Sequence, residues 1–144
     1  MQYKLLNIHS GADPLFTNSR IADFLHEHLQ EFGDETHDIM KALEYVFTNG
    51  RGGNIVLRLD GDKIVGAVVL NHTGMSGYIP ENILVYIASH KDYRGQGIGK
   101  DLMKQAIKVS KGSIALHVEP DNPVIGLYEK LGFENKYLEM RLTR

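Results

Sequence analysis

The stretch that decides the fold is Arg94-Gly95-Gln96-Gly97-Ile98-Gly99-Lys100. It follows an apolar run, residues 83–88, that is short enough for a strand and has no polar face. It also opens a segment in which apolar residues recur at helical spacing, namely Ile98, Leu102, Ala106 and Val109. The sequence therefore predicts a strand, a glycine-rich turn and a helix in direct succession.

This turn is suited to binding an anion. The first N–H groups of a helix have no acceptor within the helix, and the aligned peptide dipoles place about half a positive charge at that end. Glycines at positions 95, 97 and 99 leave no Cβ atom between a phosphate and those N–H groups. We interpret the turn as a pyrophosphate cradle, the alternative being a flexible turn that binds nothing.

Two well-known nucleotide motifs do not fit the turn. A Walker A loop needs Gly five positions before the Gly of its Gly-Lys pair and Ser or Thr after the pair, where this chain has Arg94 and Asp101. A dinucleotide fingerprint that starts at Gly95 needs Gly or Ala where Lys100 stands. What remains is Arg-x-x-Gly-x-Gly, in which the backbone binds phosphate without a metal, so no metal site is predicted.

Two motifs, in this order along the chain, resemble the GNAT superfamily of N-acetyltransferases. The phosphate loop of that family has the form Arg/Gln-x-x-Gly-x-Gly/Ala after a central strand, and residues 94–99 match it. Residues 113–118 are then typical of the next parallel strand. The family signature follows without a change as Leu127-Tyr128-Glu129-Lys130-Leu131-Gly132-Phe133.

Hydrophobic patterning agrees with the fold that the resemblance implies, a mixed α/β sheet of GNAT type in the order βααβββαβαβ. An antiparallel meander would join a parallel strand pair, with helices on both faces. Strands are predicted at residues 3–8, 54–59, 64–70, 83–88, 113–118 and 137–142. Helices are predicted at residues 20–32, capped by Asn18 or Ser19; at 98–109; and from Pro123, capped by Asn122. A further helix, capped by Asp34 or Thr36, is predicted from the stripe Ile39, Leu43, Val46 and Phe47 and ends before Gly50.

Bulk composition sets limits on the class of protein. With 144 residues, 42% hydrophobic and 24% charged, residues 1–144 are expected to form one globular domain. The net charge of −2 provides no basic surface for nucleic acid or an anionic membrane. The absence of cysteine excludes disulfides and thiolate metal sites. No apolar segment is long enough for a signal peptide or a membrane span, so a cytoplasmic enzyme is expected.

The resemblance implies acetyl-CoA as co-substrate and a primary amine, on a small molecule or a peptide, as acceptor. It also implies which residues bind the co-substrate: the pantetheine arm would pair with the backbone of Ile87 and Ala88. The family often has Asn seven residues before the signature Tyr, which falls on Asp121 here, so Asn122 is the candidate contact. The pyrophosphate would be held by Arg94, Gly95, Gln96, Gly97, Ile98, Gly99 and Lys100.

Tyr128 matches the family tyrosine whose hydroxyl acts as general acid toward the departing thiolate; the alternative is a tyrosine that only packs on an amphipathic helix. An alkyl amine with a pKa near 10.4 is only about 0.1% neutral at pH 7.4, which amounts to roughly 4 kcal/mol against attack. The site must therefore remove a proton from the ammonium form of the acceptor. Glu81, at the entrance of the central strand, is the first candidate base, with a solvated loop residue as the alternative; His117 and Glu119 are weaker candidates.

The acceptor pocket of the family is usually shaped by the first two helices and their connection. Asp34, Glu35 and His37 in that connection are the candidate acceptor contacts, and acidic residues there would suit a cationic amine. The alternative is that these are solvated faces of amphipathic helices. His26 and His28, two positions apart on a helix, face different sides and are expected at the surface rather than on a metal.

Two other interpretations stay open at this point. A non-catalytic acyl-CoA-binding module would share the loop and the sheet but lack an acceptor site, and the intact Tyr128 argues against it. The second interpretation is an enzyme that binds a nucleoside triphosphate at the glycine loop, and the missing Walker Ser or Thr argues against this interpretation. A homodimer through the sheet edge or the last strand is compatible with the sequence.

Overall fold

A five-stranded mixed sheet forms the centre of the computed structural model, which describes residues 1–144. The strands lie in the sheet in chain order, antiparallel from the first to the fourth, while the fourth and fifth run parallel. They are β1 (Gln2–Leu6), β2 (Gly53–Asp60), β3 (Lys63–His72), β4 (Asn82–Ser89) and β5 (Ile114–Leu116). The predicted meander joined to a parallel pair is confirmed.

Helices cover both faces of the sheet, as the patterning predicts. They are α1 (Asn18–Leu29), α2 (Thr36–Phe47), α3 (Ile98–Val109) and α4 (Ile125–Lys130), with 3₁₀ turns at Gln30–Phe32 and Lys91–Tyr93. On one face α1 and α2 form a core with the sheet that includes Leu25 and Leu43, both fully buried. On the other face α3 and α4 form a second core that includes Leu102 and Tyr128.

The predicted caps of the first two helices differ from those in the structure. The cap of α1 is Thr17, one residue before the predicted Asn18, and its Oγ1 accepts a hydrogen bond from the Arg20 N–H at 3.2 Å. Glu35 occupies the cap position of α2 without a side-chain hydrogen bond. Several adjacent polar residues could cap either helix, so sequence alone did not select among them.

The predicted closing strand at residues 137–142 is not formed. Residues 134–144 lie outside helix and strand, and the fifth strand is shorter than predicted. A strand pattern becomes a strand only where another strand edge satisfies its backbone N–H and C=O groups. Here no such edge is paired with the segment, and its apolar side chains are 79–92% exposed: Tyr137, Leu138, Met140 and Leu142.

A glycine in β3 allows α3 to approach the sheet closely. A Cβ atom added to Gly66 would lie 2.7 Å from Ile98 Cγ2 and 2.8 Å from Leu102 Cδ1, both too short for real contacts. The first turn of α3 therefore packs directly on the sheet. This contact places the predicted phosphate loop beside the carboxyl end of β4.

Candidate functional site

The site begins where β4 and β5 part. The two strands pair only from Asn82↔Ile114 to Leu84↔Leu116. On the other side of β4, Val69 of β3 faces Tyr86 and Leu70 faces Leu84, so Val85 is an extra residue that bulges from the ladder. From Val85 onward, β4 has an edge without a strand partner, which we call the open edge of β4.

Only alternate residues of β4 present their backbone to the open edge. The His90 N–H donates to the Val65 carbonyl at 2.8 Å, on the β3 side. Because hydrogen-bonded pairs alternate in an antiparallel ladder, Ala88 also bonds toward β3, whereas Ile87 and Ser89 face the open edge. Of the two predicted pantetheine contacts, Ile87 has free backbone groups, and the side chain of Ala88 is buried in the α1–α2 core. Ser89, which also faces the open edge, is not among the predicted contacts, although strand alternation counted from Ile87 includes it.

The phosphate loop presents unpaired amides. Gly97 caps α3 with no side-chain hydrogen bond, and the first helical bond runs from the Asp101 N–H to the Gly97 carbonyl at 3.0 Å. The N–H groups of residues 98–100 therefore have no backbone acceptor. Gly95 and Gly97 have φ angles of 82° and 79°, and an added Cβ would meet nothing within 4 Å at either position. Backbone conformation, rather than lack of space, is therefore the reason for glycine there.

The loop is attached to the last turn of α1 through His28. The Arg94 guanidinium donates to the His28 carbonyl at 2.9 Å, and the Lys91 N–H donates to His28 Nδ1 at 3.1 Å. His28 is only 4% exposed, and its ring centroid lies 4.1 Å from that of His90. The surface position predicted for His28 is therefore wrong, because the 3₁₀ turn before the loop folds over it; His26 is exposed as predicted. Burial lowers the pKa of His28, which favours the neutral ring.

Tyr128 lies in the second core, 7% exposed, with its ring 6.0 Å from that of Phe133. It shares that core with Leu84, the last residue of β4 paired to β5. Burial alone raises the pKa of Tyr128, and no hydrogen bond engages its hydroxyl. The hydroxyl is thus protonated at neutral pH and is a weaker acid than an exposed phenol.

Asn122 forms a turn before α4, in which its Oδ1 accepts from the Val124 N–H at 3.0 Å. The cap predicted at Asn122 is wrong, because Val124 occupies the cap position of α4, without a side-chain hydrogen bond. Helical structure begins at Ile125, two residues later than predicted. His117 and Glu119, the weaker candidates for the base, are exposed after β5.

Glu81 lies at the amino end of β4, away from the phosphate loop. Its Oε1 accepts from the Ser113 N–H at 2.8 Å, and its Oε2 accepts from the Gly77 N–H at 3.4 Å. The hydrogen bond from Ser113 is the main reason that the pKa of Glu81 is lowered. A lowered pKa makes the carboxylate a weaker base. Beside it lies an open cavity of about 570 Å³, also lined by His9, Arg51, His72 and Lys111.

A second polar contact lies next to the bulge, on the α1–α2 face. The hydroxyl of Tyr86 donates to Asp34 Oδ2 at 2.5 Å, which joins β4 to the connection between the first two helices. Burial, and after it Asp34, raises the pKa of Tyr86 far above its ordinary value. Of the three predicted acceptor contacts, only Asp34 forms a hydrogen bond to β4. Glu35 is exposed, and Nε2 of His37 lies 3.4 Å from Oδ1 of Asp38.

Comparison with known proteins places this geometry in a family. The family described as "Acetyltransferase (GNAT) family" matches residues 15–133. The chain belongs to the GNAT acetyltransferase family. An N-alpha-acetyltransferase 30 of Schizosaccharomyces pombe is 35% identical over 80 residues, which are 52% of this chain and 53% of that protein. The chain spans about half the length of the curated relatives it matches.

Solved structures confirm the GNAT fold. A ribosomal-protein-alanine N-acetyltransferase from Brucella melitensis biovar Abortus 2308 has a TM-score of 0.65 at 18% identity, covering 100% of this chain and 99% of that one. An aminoglycoside N-acetyltransferase in complex with CoA has a TM-score of 0.67 at 14% identity, covering 99% and 93%. At these identities the likeness concerns the fold alone.

The residues of this GNAT chain fit the coenzyme that the family uses. The amides of residues 98–100 lack acceptors, and the open edge of β4 lacks a strand partner. Both kinds of group need a ligand or water to satisfy them. No helix in the structure combines the length and apolar character needed to cross a bilayer.

Proposed function

We propose that this chain is an acetyl-CoA-dependent N-acetyltransferase that transfers an acetyl group to a primary amine by direct attack. The observation that carries the proposal is the end of β4–β5 pairing at Leu84. It leaves an open strand edge with unpaired amides at the α3 end and Tyr128 in the core beneath the other end. An extended thioester ligand with a diphosphate matches this arrangement of groups.

Binding would use backbone more than side chains. The amides from Gly95 to Lys100 would hold the diphosphate, and Arg94 and Lys100, both exposed, would add positive charge. Arg94 can do so in a fixed orientation because one of its nitrogens is already bonded to α1. Ile87 and Ser89 would donate to and accept from the pantetheine amides, and Asn122 would border the arm beside α4. The bound coenzyme supplies an activated acetyl thioester.

Tyr128 is proposed as the general acid. Its hydroxyl would donate a proton to the sulfur of the leaving thiolate, which needs an acid that is still protonated at neutral pH. Burial raises the pKa of the hydroxyl, which makes it a weaker acid, so the role is supported by the match of Tyr128 to the family signature and not by this shift. The absence of a competing hydrogen bond leaves the proton available.

The acceptor is proposed to approach from the α1–α2 face, opposite Tyr128. Asp34 supports this direction because its carboxylate is exposed and lies against Tyr86, the residue after the bulge. The ammonium group of the acceptor would pair with the Asp34 carboxylate before the ammonium loses its proton, which makes Asp34 one candidate base. Glu81 is the other candidate base, and the lowered pKa of Glu81 counts against that role.

The test of the general acid is Tyr128→Phe. We expect turnover, measured by thiol release over a panel of amines, to fall about 10²-fold or more, the usual contribution of a general acid. Calorimetric affinity for acetyl-CoA should change by less than about twofold, because the phenyl ring still fills the core. Tyr137→Phe is the matched control, since that side chain is 80% exposed.

Wild-type turnover in Tyr128→Phe would remove Tyr128 from the mechanism. If the unmodified protein bound acetyl-CoA but released no thiol with any amine, it would instead be the non-catalytic acyl-CoA-binding module.

A further inference from the structure

Two histidines hold the 3₁₀ turn Lys91–Tyr93, which ends directly before the phosphate loop. The first N–H groups of a helical turn have no acceptor within the turn. Here the Lys91 N–H donates to His28 Nδ1 at 3.1 Å, and the Asp92 N–H donates to His90 Nδ1 at 3.1 Å. The turn is therefore capped by one imidazole from α1 and one from its own cap residue.

The two imidazole rings stack on each other beneath the turn. Their centroids lie 4.1 Å apart, and their planes are inclined by 35°. The His28 ring also contacts Phe24 at a centroid distance of 4.6 Å, and the His90 ring lies 5.4 Å from Tyr93. The His28 side chain is buried and that of His90 is only 14% exposed. This packing fixes both rings, so that each Nδ1 stays directed at its N–H group.

Both hydrogen bonds require a neutral ring. A neutral imidazole has one nitrogen that accepts and one that carries the proton. Since Nδ1 is the acceptor in His28 and in His90, the proton of each ring lies on Nε2, and a second proton can enter only at Nδ1. That proton would turn the acceptor into a donor that faces the N–H of Lys91 or Asp92. A backbone donor left without a partner in this way is costly, so protonation works against the turn.

Charged side chains from three parts of the chain surround the two rings. They are Arg20, Asp23 and Glu27 of α1, Lys63 of β3, and Lys91, Asp92 and Arg94 after β4. Burial and then the neighbouring His90 lower the pKa of His28 from 6.5, and the cations of Arg94 and Lys91 act in the same direction. The Glu27 carboxylate, 3.6 Å from His28 Nε2, opposes them. His28 is therefore neutral at pH 7 and takes up a proton only in acid.

The turn and the phosphate loop depend on the same contact with α1. The Arg94 guanidinium donates to the His28 carbonyl at 2.9 Å, so the loop begins on the residue that caps the turn. Without its two caps, the turn retains a bond from the Tyr93 N–H to the His90 carbonyl at 2.9 Å. One bond of this kind does not offset the entropy of ordering three residues, so the loop that follows loses its fixed position.

We propose that His28 and His90 are positioning residues of the coenzyme site, whose neutral rings hold the phosphate loop in its binding conformation and whose protonation releases it. This inference rests on the proposed function, because it concerns the binding of CoA at that loop. Protons and CoA then compete, and the affinity for CoA falls in acid. A direct electrostatic effect has the opposite sign, since an imidazolium near the diphosphate would attract it.

The first test compares CoA binding by the wild type and by His28→Asn/His90→Asn, measured by calorimetry at about pH 7.5 and about pH 5, with circular dichroism to verify the fold at each pH. The Asn Oδ1 can take the place of the imidazole Nδ1 as acceptor but does not titrate. We expect the dissociation constant of the wild type to rise about fivefold or more beyond that of the double variant, because one competing proton lowers affinity up to about tenfold per pH unit. Titration of the coenzyme phosphate near pH 6 affects both proteins equally.

Two single variants separate the hydrogen bond from the ring itself. His28→Phe keeps an aromatic ring but has no acceptor, so it should bind CoA about fivefold or more weakly than the wild type even near neutral pH. His9→Asn is the matched control, because His9 is exposed and lines the cavity beside Glu81, at the other end of β4. This control should keep the affinity and the pH dependence of the wild type.

The second test uses nuclear magnetic resonance on the wild type and needs no substitution. We expect the amide shifts of Lys91 and Asp92 to change with pH together with the ring resonances of His28 and His90. Because coupling between two ligands is reciprocal, saturating CoA should move the midpoint of this titration to lower pH.

The outcomes distinguish this inference from the proposed function. A wild type that binds no CoA near neutral pH overturns the proposed function itself. A wild type that binds CoA with the pH dependence of the double variant, or more tightly in acid, overturns this inference alone. Amide shifts of Lys91 and Asp92 that do not follow the ring titration also overturn it, whether or not the double variant folds.

Discussion

Glu81 illustrates how surroundings change the chemistry that a position suggests. Its place at the entrance of β4 favoured a catalytic base, but its two oxygens accept hydrogen bonds from Ser113 and Gly77 instead. These bonds connect the loop before β4 to the turn before β5. The carboxylate is therefore stabilised in its charged form and acts first as a structural acceptor.

The structural role of Glu81 predicts a pH-dependent loss in Glu81→Gln. The pKa of this carboxyl is lowered from 4.5 in the folded state, so its stabilising contribution is present above pH 4.5 and is lost as the pH falls through the lowered pKa. We expect Glu81→Gln to melt below the wild type at pH 7, with the difference disappearing in acid. Thermal unfolding followed by circular dichroism across pH measures this, with Glu134→Gln as an exposed control.

The Glu81→Gln variant also tests whether Glu81 is the catalytic base. If Glu81 removes the proton from the acceptor, kcat should fall about 10²-fold or more in Glu81→Gln at saturating amine. An unchanged kcat in Glu81→Gln, together with a large fall of kcat in Asp34→Asn, would transfer that role to Asp34.

For the melting experiment, a difference between Glu81→Gln and the wild type that persists in acid would contradict the hydrogen-bonding account.

At the level of elements, the contact of α3 with β3 at Gly66 sets the height of the phosphate loop above the sheet. Nothing in the local sequence predicted this contact, because Ile98 and Leu102 come from a helix more than thirty positions later. The phosphate loop itself was predictable, since its three glycines and the stripe of α3 are contiguous. Positive φ angles at Gly95 and Gly97 give those glycines their physical reason.

Gly66→Ala should destabilise the fold. The added methyl would overlap with Ile98 and Leu102, and overpacking of this kind costs about 1–3 kcal/mol. For a chain of this size that corresponds to a melting temperature lower by roughly 3–10 °C. Gly126→Ala is the matched control, because an added Cβ there meets no atom within 4 Å. Equal melting of the Gly66→Ala variant and the wild type would show that α3 can shift without cost.

For the molecule as a whole, ligand linkage distinguishes the proposed coenzyme from a nucleoside triphosphate. A ligand present at one hundred times its Kd adds about 2.7 kcal/mol to the free energy of unfolding. We expect CoA to raise the melting temperature by about 5–10 °C, and ATP with Mg²⁺ to leave it unchanged. A larger shift with ATP and Mg²⁺ than with CoA would favour the triphosphate interpretation and contradict the acetyltransferase proposal.

The amino-acid sequence by itself determined the glycine loop, the helix it opens, the alternation of strands and the signature around Tyr128. These features depend on contiguous residues, so hydrophobic period and glycine content are enough to specify them. Only the tertiary structure decided the bulge at Val85, the burial of His28 and the bond between Tyr86 and Asp34, which lie 52 positions apart. It also left residues 137–142 unpaired, because a strand needs an edge from elsewhere to satisfy its backbone, and no pattern within one segment can supply it.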